Sequence, residues 1–457
     1  MGAGQRGALP RRWCRRSVPP PAGLPQGHVK TPAHAWASLP ALITAHTISR
    51  TGNVVALFTI PFLVLETGGG PVQVGIAAAA ATAPVVLGAP LGGVLVDRIG
   101  YLRSSVISDV VSGTTIALIP LLAATTGLPF PALIALVFLS GLLDTPGETA
   151  RRVLLPNLSA QARIPLQRSV GFLDGSTRAA TLIGAPLAAV LVATLGAFPA
   201  LLATAAAFVL SALISGTLIR TSSSPAGPHT PPTSTDSDTN DGTGGYWADL
   251  RDGLRFVRTD PLLRPLIILV LITNTLDAAR SGTLLPLYAS QELNGPASLG
   301  IIAGAFGGAA LTGSIVFGFI AHRLPRRAPF VICYTLVACS SLGPALGLGT
   351  GWLVGFFILS GLAAGAINPI IGAVELERIP PHLRARVLGL VTAGAWAGMP
   401  LGGLIGGISA NTAGLTTTFT VMFLIYLAAT LTPLRGGPWE LMERNTADTA
   451  DTKTARS

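Results

Sequence analysis

What the sequence lacks narrows it first. Only 11% of its 457 residues are charged, against about one-quarter in soluble domains. Half are hydrophobic and the mean hydropathy is +0.61, which excludes an ordinary water-soluble core and defines an integral membrane protein. Cysteine is scarce. Cys14 stands alone, and Cys333 and Cys339 share one apolar run without disulfide or metal-ligand spacing, so all three read as packing residues. No HExxH, GxSxG or paired-aspartate motif falls in an apolar run and no P-loop occurs. An intramembrane enzyme and an ATP-driven pump are therefore disfavoured, and no cofactor or metal is expected.

What is present is a series of apolar runs, near 38–65, 73–96, 104–126, 130–150, 168–196, 198–219, 263–289, 299–321, 328–349, 351–373, 386–410 and 414–434. Each reaches about 20 residues, enough to cross a bilayer core of about 30 Å as a helix, which predicts an all-α protein of twelve transmembrane helices. Prolines such as Pro61, Pro84, Pro90, Pro186, Pro286 and Pro400 then mark kinks, which membrane helices tolerate.

The surplus of 30 Lys and Arg over 20 Asp and Glu would point to nucleic acid in a soluble chain, but here position decides. All except Arg50, Arg178 and Arg280 lie on one side of the bilayer if both termini are placed there. The positive-inside rule makes that side the cytoplasm and the lipid bilayer, not nucleic acid, the surroundings. Residues 1–36 read as a disordered basic arm, 221–245 as a disordered linker and 436–457 as a disordered tail. They flank expected six-helix bundles at 37–220 and 262–435. Arg11-Arg12 lacks the apolar stretch of a twin-arginine signal, so no cleaved leader is expected. Between linker and second bundle, 246–261 spaces Trp247, Leu250, Leu254 and Val257 on one helical face and Arg251, Arg255 and Arg258 on the other. That is an amphipathic helix for the cytoplasmic membrane surface.

The two halves repeat one another. GAPLGGVLVDRIGYLR at 88–103 returns as GSIVFGFIAHRLPRR at 313–327, so that Gly93, Asp97, Arg98 and Gly100 match Gly318, His322, Arg323 and Pro325 at an offset of 225. The same offset carries Pro61 onto Pro286. The pattern Gly93-x-x-x-Asp97-Arg98-x-Gly100-x-x-Arg103 resembles the signature loop between the second and third helices of the major facilitator superfamily of secondary transporters, although Leu102 stands where the family usually has a basic residue. Residues 151–163, 246–266 and 377–390 resemble its drug:proton antiporter-3 branch, which includes macrolide-efflux proteins and a siderophore exporter. The resemblance implies two pseudo-symmetric bundles with substrate bound between them near the midplane. It also implies that Asp97 closes the cytoplasmic side against the start of the eleventh helix, with Arg98 and Arg103 completing the latch.

Ionisable groups inside a span are costly and face a cavity or a partner. Arg50 and Arg178 fall near mid-membrane, Asp277 and Arg280 at or just beyond it, and His46 lies one turn from Arg50. Asp277 is the leading proton-coupling carboxylate and His46 the alternative, while Arg50 suits a pair or an anionic substrate. Asp174 and Arg178, four apart, are either an intrahelical ion pair or part of the cavity. Asp109, Asp144, Glu148, Arg151 and Arg152 sit nearer the cytoplasm and read as a gate network. Gly175, Gly184 and Pro186 only partly match the glycine-proline motif of proton-driven exporters. The leading expectation is a monomeric exporter of a small amphipathic molecule such as a drug, macrolide-like metabolite or siderophore, driven by proton antiport in the plasma membrane. Metabolite uptake is the alternative within transport, and a non-transporting receptor or scaffold the alternative outside it.

Overall fold

The structure, a computed structural model, describes residues 34–219, 246–321, 324–380 and 383–443, with the side chains at 34–36, 88–95, 97–98, 246–250, 252 and 385–386 left out. The expected linker, most of the amino-terminal arm, and His322 and Arg323 lie outside the described residues. So do the side chains of Gly93, Asp97 and Arg98.

The first half comprises α1 (His34–Glu66), α2 (Pro71–Ile99), α3 (Tyr101–Thr125), α4 (Phe130–Gln161), α5 (Leu166–Leu195) and α6 (Ala197–Leu218). After α7 (Tyr246–Thr259), the second half comprises α8 (Leu263–Ala279), α9 (Leu285–Glu292), α10 (Pro296–Ile320), α11 (Arg327–Ala345), α12 (Thr350–Arg378), α13 (Arg384–Trp396), α14 (Met399–Ala413) and α15 (Leu415–Thr430). Helices α8 and α9 form one broken span and α13 and α14 another. Eleven spans are long and apolar enough to cross a membrane by their described residues, and α2, whose described apolar stretch is Pro71–Leu87, is the twelfth. Helices are the solution a bilayer imposes, because each backbone N–H and C=O must find its partner within the segment. Large apolar side chains such as Phe319 and Trp352 point outward, where lipid replaces a protein partner.

Within the first half α1 packs on α5 and α6, α2 on α4, and α3 on α4 and α6; in the second, α12 packs on α10 and α11, and α14 on α8. Gly100, at φ 92°, makes the single-residue turn between α2 and α3, a conformation that a Cβ disfavours. The halves meet chiefly along α2 with α14 and α5 with α10. A Cβ on Gly75 would fall 2.6 Å from the Gly403 carbonyl oxygen, and one on Gly304 would fall 2.9 Å from Pro186 Cγ. Small residues thus allow backbone-close contact, as in other membrane helix pairs. This seam lies toward the α1–α2 and α5–α6 turns, away from the termini. At the other end α13 packs instead on α7 and α8 of its own half.

Two sequence expectations need correction here. Helix α4 does not stop with the apolar run near residue 150 but continues to Gln161, so Arg151, expected at the cytoplasmic end of the fourth span, is interior to the helix. The described part of the tail, 436–443, is ordered: Trp439 and Met442 are buried, Trp439 beside Phe330, and Glu443 accepts the backbone amides of Arg326 (3.0 Å) and Arg327 (3.2 Å). Aromatic burial and the unsatisfied amides at the start of α11 explain why these polar-looking residues fold.

Helix α7 turns Phe256 and Val257 inward and leaves Arg251, Arg255 and Arg258 exposed; Leu254, expected on the apolar face, is exposed. Just after it, Asp260 accepts the amides of Leu262 (2.9 Å) and Leu263 (2.8 Å) and pairs with Arg378 at 2.8 Å. Burial alone would raise the Asp260 pKa. The Arg378 hydrogen bonds and the two amides outweigh it and hold the carboxyl below its ordinary value.

Candidate functional site

The first half holds a charge cluster inside its own bundle. Arg151 of α4 and Asp109 of α3 are essentially inaccessible, at 1% and 0% side-chain exposure. The guanidinium meets both carboxylate oxygens, at 3.1 and 3.3 Å, and also donates to the Gly147 carbonyl at 3.3 Å. Ser49 of α1 donates to Asp109 at 3.0 Å, and Ser211 of α6 lies 2.6 Å from it. Asp144 stands at the edge, 3.8 Å from Arg151, and accepts from Asn53 at 2.7 Å. A second chain runs Arg50–Glu148–Arg152 at 3.2 and 3.3 Å. All these partners belong to the first half. The residues read as a gate are therefore tied within one bundle, with Asp109 and Arg151 in its interior. Arg103 is exposed on α3, and the Asp97 and Arg98 side chains, which complete the expected latch, are outside the description.

His46 is fully buried and its Nε2 lies 3.0 Å from Thr177 Oγ1. That hydroxyl also lies 3.1 Å from the Leu173 carbonyl, and when it donates there Nε2 is the nitrogen that carries the proton. His46 and Arg50 thus have separate partners, on α5 and α4. Asp174 and Arg178 are both exposed on α5, and no ion pair joins them among the described residues. Of the two readings of this spacing, an ion pair or part of the cavity, Arg178 follows the second, since it lines the cavity described below.

In the second half the charges sit on a cavity wall. Arg280 pairs with Asp277 at 2.8 Å, donates to Ser340 and lies 5.8 Å from the Phe357 ring centroid. Tyr426 donates to the other Asp277 oxygen at 3.4 Å. Arg280 opens a π-helical turn, Arg280–Leu284, in which the Leu285 amide reaches back five residues to the Arg280 carbonyl. The sequence explains the wide turn: Pro286 has no N–H and its ring would collide with the carbonyl four residues earlier. Such turns recur at functional sites.

A cavity of about 680 Å³ lies between the halves near mid-span, walled by Pro61, Thr177, Arg178, Arg280, Phe306 and Phe357 among others, and mostly apolar. A second, more polar chamber of about 520 Å³ lies within the second half and contains Asn274, Asp277, Tyr334, Glu375 and Tyr426. Arg280 borders both. Sequence reasoning missed Tyr334, Ser340, Phe357 and Tyr426, because aromatic and hydroxyl side chains are too common in membrane helices to signal a site. Asn53, one turn from Arg50, was within reach of the depth argument.

Two six-helix halves closing on a midplane cavity define a secondary membrane transporter. The sequence profile described as Major Facilitator Superfamily matches residues 42–293 and 267–440, and the chain belongs to that family. It is 29% identical over 392 residues to "Multidrug efflux pump Tap" of Mycolicibacterium fortuitum, covering 84% of this chain and 91% of that protein. It is equally 29% identical to the Mycobacterium tuberculosis Tap over 398 residues, with coverages of 86% and 92%. Among solved structures, the nucleoside transporter NupG superposes with a TM-score of 0.64 over 89% of this chain and all of its own, at 13% identity, a likeness of fold alone.

Proposed function

We propose that the chain exports a small amphipathic molecule in exchange for protons, with Asp277 as the coupling carboxylate. The observation that carries this reading is the Asp277–Arg280 pair, set between a mostly apolar cavity and a polar chamber. Protonating Asp277 removes the partner charge of Arg280 on the cavity wall, so proton occupancy and substrate occupancy act on one guanidinium. The similarity to multidrug efflux pumps supports export over uptake. The distribution of basic residues supports cytoplasmic termini in the plasma membrane, and the protein is read as a monomer. With that orientation the glycine seam would close the outer side, opposite the loop that carries Asp97.

The test is accumulation of a panel of amphipathic compounds by an efflux-deficient host. Cells carrying the protein should retain less of at least one compound, and a protonophore should abolish the difference. Greater accumulation would favour uptake; a difference that survives the protonophore would remove proton coupling.

A further inference from the structure

The main cavity is electrostatically one-sided. Among the described residues that line it, only Arg178 and Arg280 carry formal charge. Arg280 is already neutralised by Asp277 and held by Ser340 and the Phe357 face. Arg178 has no acidic partner within 4 Å and no hydrogen-bond acceptor among the described residues. Asp174, one helical turn away, does not line the cavity. The hydroxyls on the wall offer no competing donor. Thr82, Thr177, Thr181 and Ser281 each donate to a carbonyl of their own helix, at 2.9, 3.1, 3.1 and 2.7 Å. The Asn368 side-chain amide also lines the space.

We infer that this cavity receives an amphipathic molecule bearing a negative charge, with Arg178 as its anchor and the apolar wall holding its body. The inference rests on the export reading for taking this cavity as the substrate site. A guanidinium presents paired N–H donors that match the two oxygens of a carboxylate or sulfonate, and it never loses its proton. Against a mostly apolar wall its attraction for an anion is stronger than in open water, and a cation is repelled by the same field.

The test uses three probes that share a skeleton and differ in head charge: pyrenebutyrate, pyrenebutanol and pyrenebutylammonium. Binding to purified full-length protein in detergent is read by pyrene fluorescence and by thermal shift. Wild-type protein should bind the carboxylate about tenfold more tightly than the alcohol, as one charge-assisted hydrogen-bonded contact supplies, and the ammonium least. Arg178→Gln should erase the carboxylate's advantage and leave the alcohol unchanged, Arg178→Lys should keep part of it, and Asp174→Asn should keep all of it. Should Arg178→Gln fail to fold, Asn368→Asp places a negative charge in the same cavity and should lower carboxylate binding selectively. No binding of pyrenebutyrate to the wild type, a preference for the ammonium, or a preference that survives Arg178→Gln overturns the inference. Intact charge preference without any export by cells would instead overturn the export reading.

Discussion

The first half closes Asp109 and Arg151 inside its own bundle, whereas the second half sets its Asp277–Arg280 pair on chamber walls. Asp109 and Arg151 exchange two contacts in a site closed by Ser49 and Ser211, while Asp277 keeps about a third of its side chain accessible and shares Arg280 with two chambers. The repeat makes the contrast direct. By the 225-residue offset, Asp109 corresponds to Tyr334, Asp277 to Gly52 and Arg280 to Val55. One scaffold has therefore placed ionisable groups at different depths in its two copies. A buried pair that no solvent reaches can fix geometry but exchanges protons poorly; a pair on the wall of a polar chamber can do the reverse.

Removing one partner from each pair should separate these roles. Arg151→Ala leaves the Asp109 carboxylate buried without its cation and should cost about 3–5 kcal/mol, read as a large loss of thermal stability in detergent. Arg280→Ala should cost less, about 1–2 kcal/mol, because Asp277 can rehydrate from the polar chamber it lines, yet it should abolish substrate-coupled transport. Equal destabilisation by the two would erase the distinction between the halves.

A smaller effect belongs to the junction beneath the second half. Asp260→Asn weakens the cap of α8 and the Arg378 pair, which should cost about 1 kcal/mol near neutral pH. Since the folded-state pKa of Asp260 is depressed, its contribution is complete above the ordinary carboxylate range and fades as pH falls through its folded value. The melting difference between wild type and Asp260→Asn should therefore shrink below about pH 4. A difference that grew on acidification would contradict that sign.

Much of this architecture was legible in the chain, for physical reasons. Span length, the repeat of Gly93 to Arg103 in the second half and the one-sided arginines all follow from bilayer thickness and from topology, which are written locally. Depth counting also singled out Asp277 and Arg280 together, since three residues of helix bring them to one face. It placed Asp109, Asp144 and Arg151 near the cytoplasm but could not tell a surface from a bundle interior, because that depends on which helices pack around them. The Asp174–Arg178 spacing permits an ion pair without requiring one. Tyr426 lies 149 residues from Asp277, so nothing in the sequence alone brings that phenol to the carboxylate.

The most direct test of the account is transport by Asp277→Asn in reconstituted vesicles with an imposed pH gradient. The asparagine mimics a permanently protonated site, so the account predicts that uphill accumulation is lost while downhill exchange of the same substrate persists. Full uphill transport by Asp277→Asn would contradict it and leave His46 or Asp174 to carry the proton.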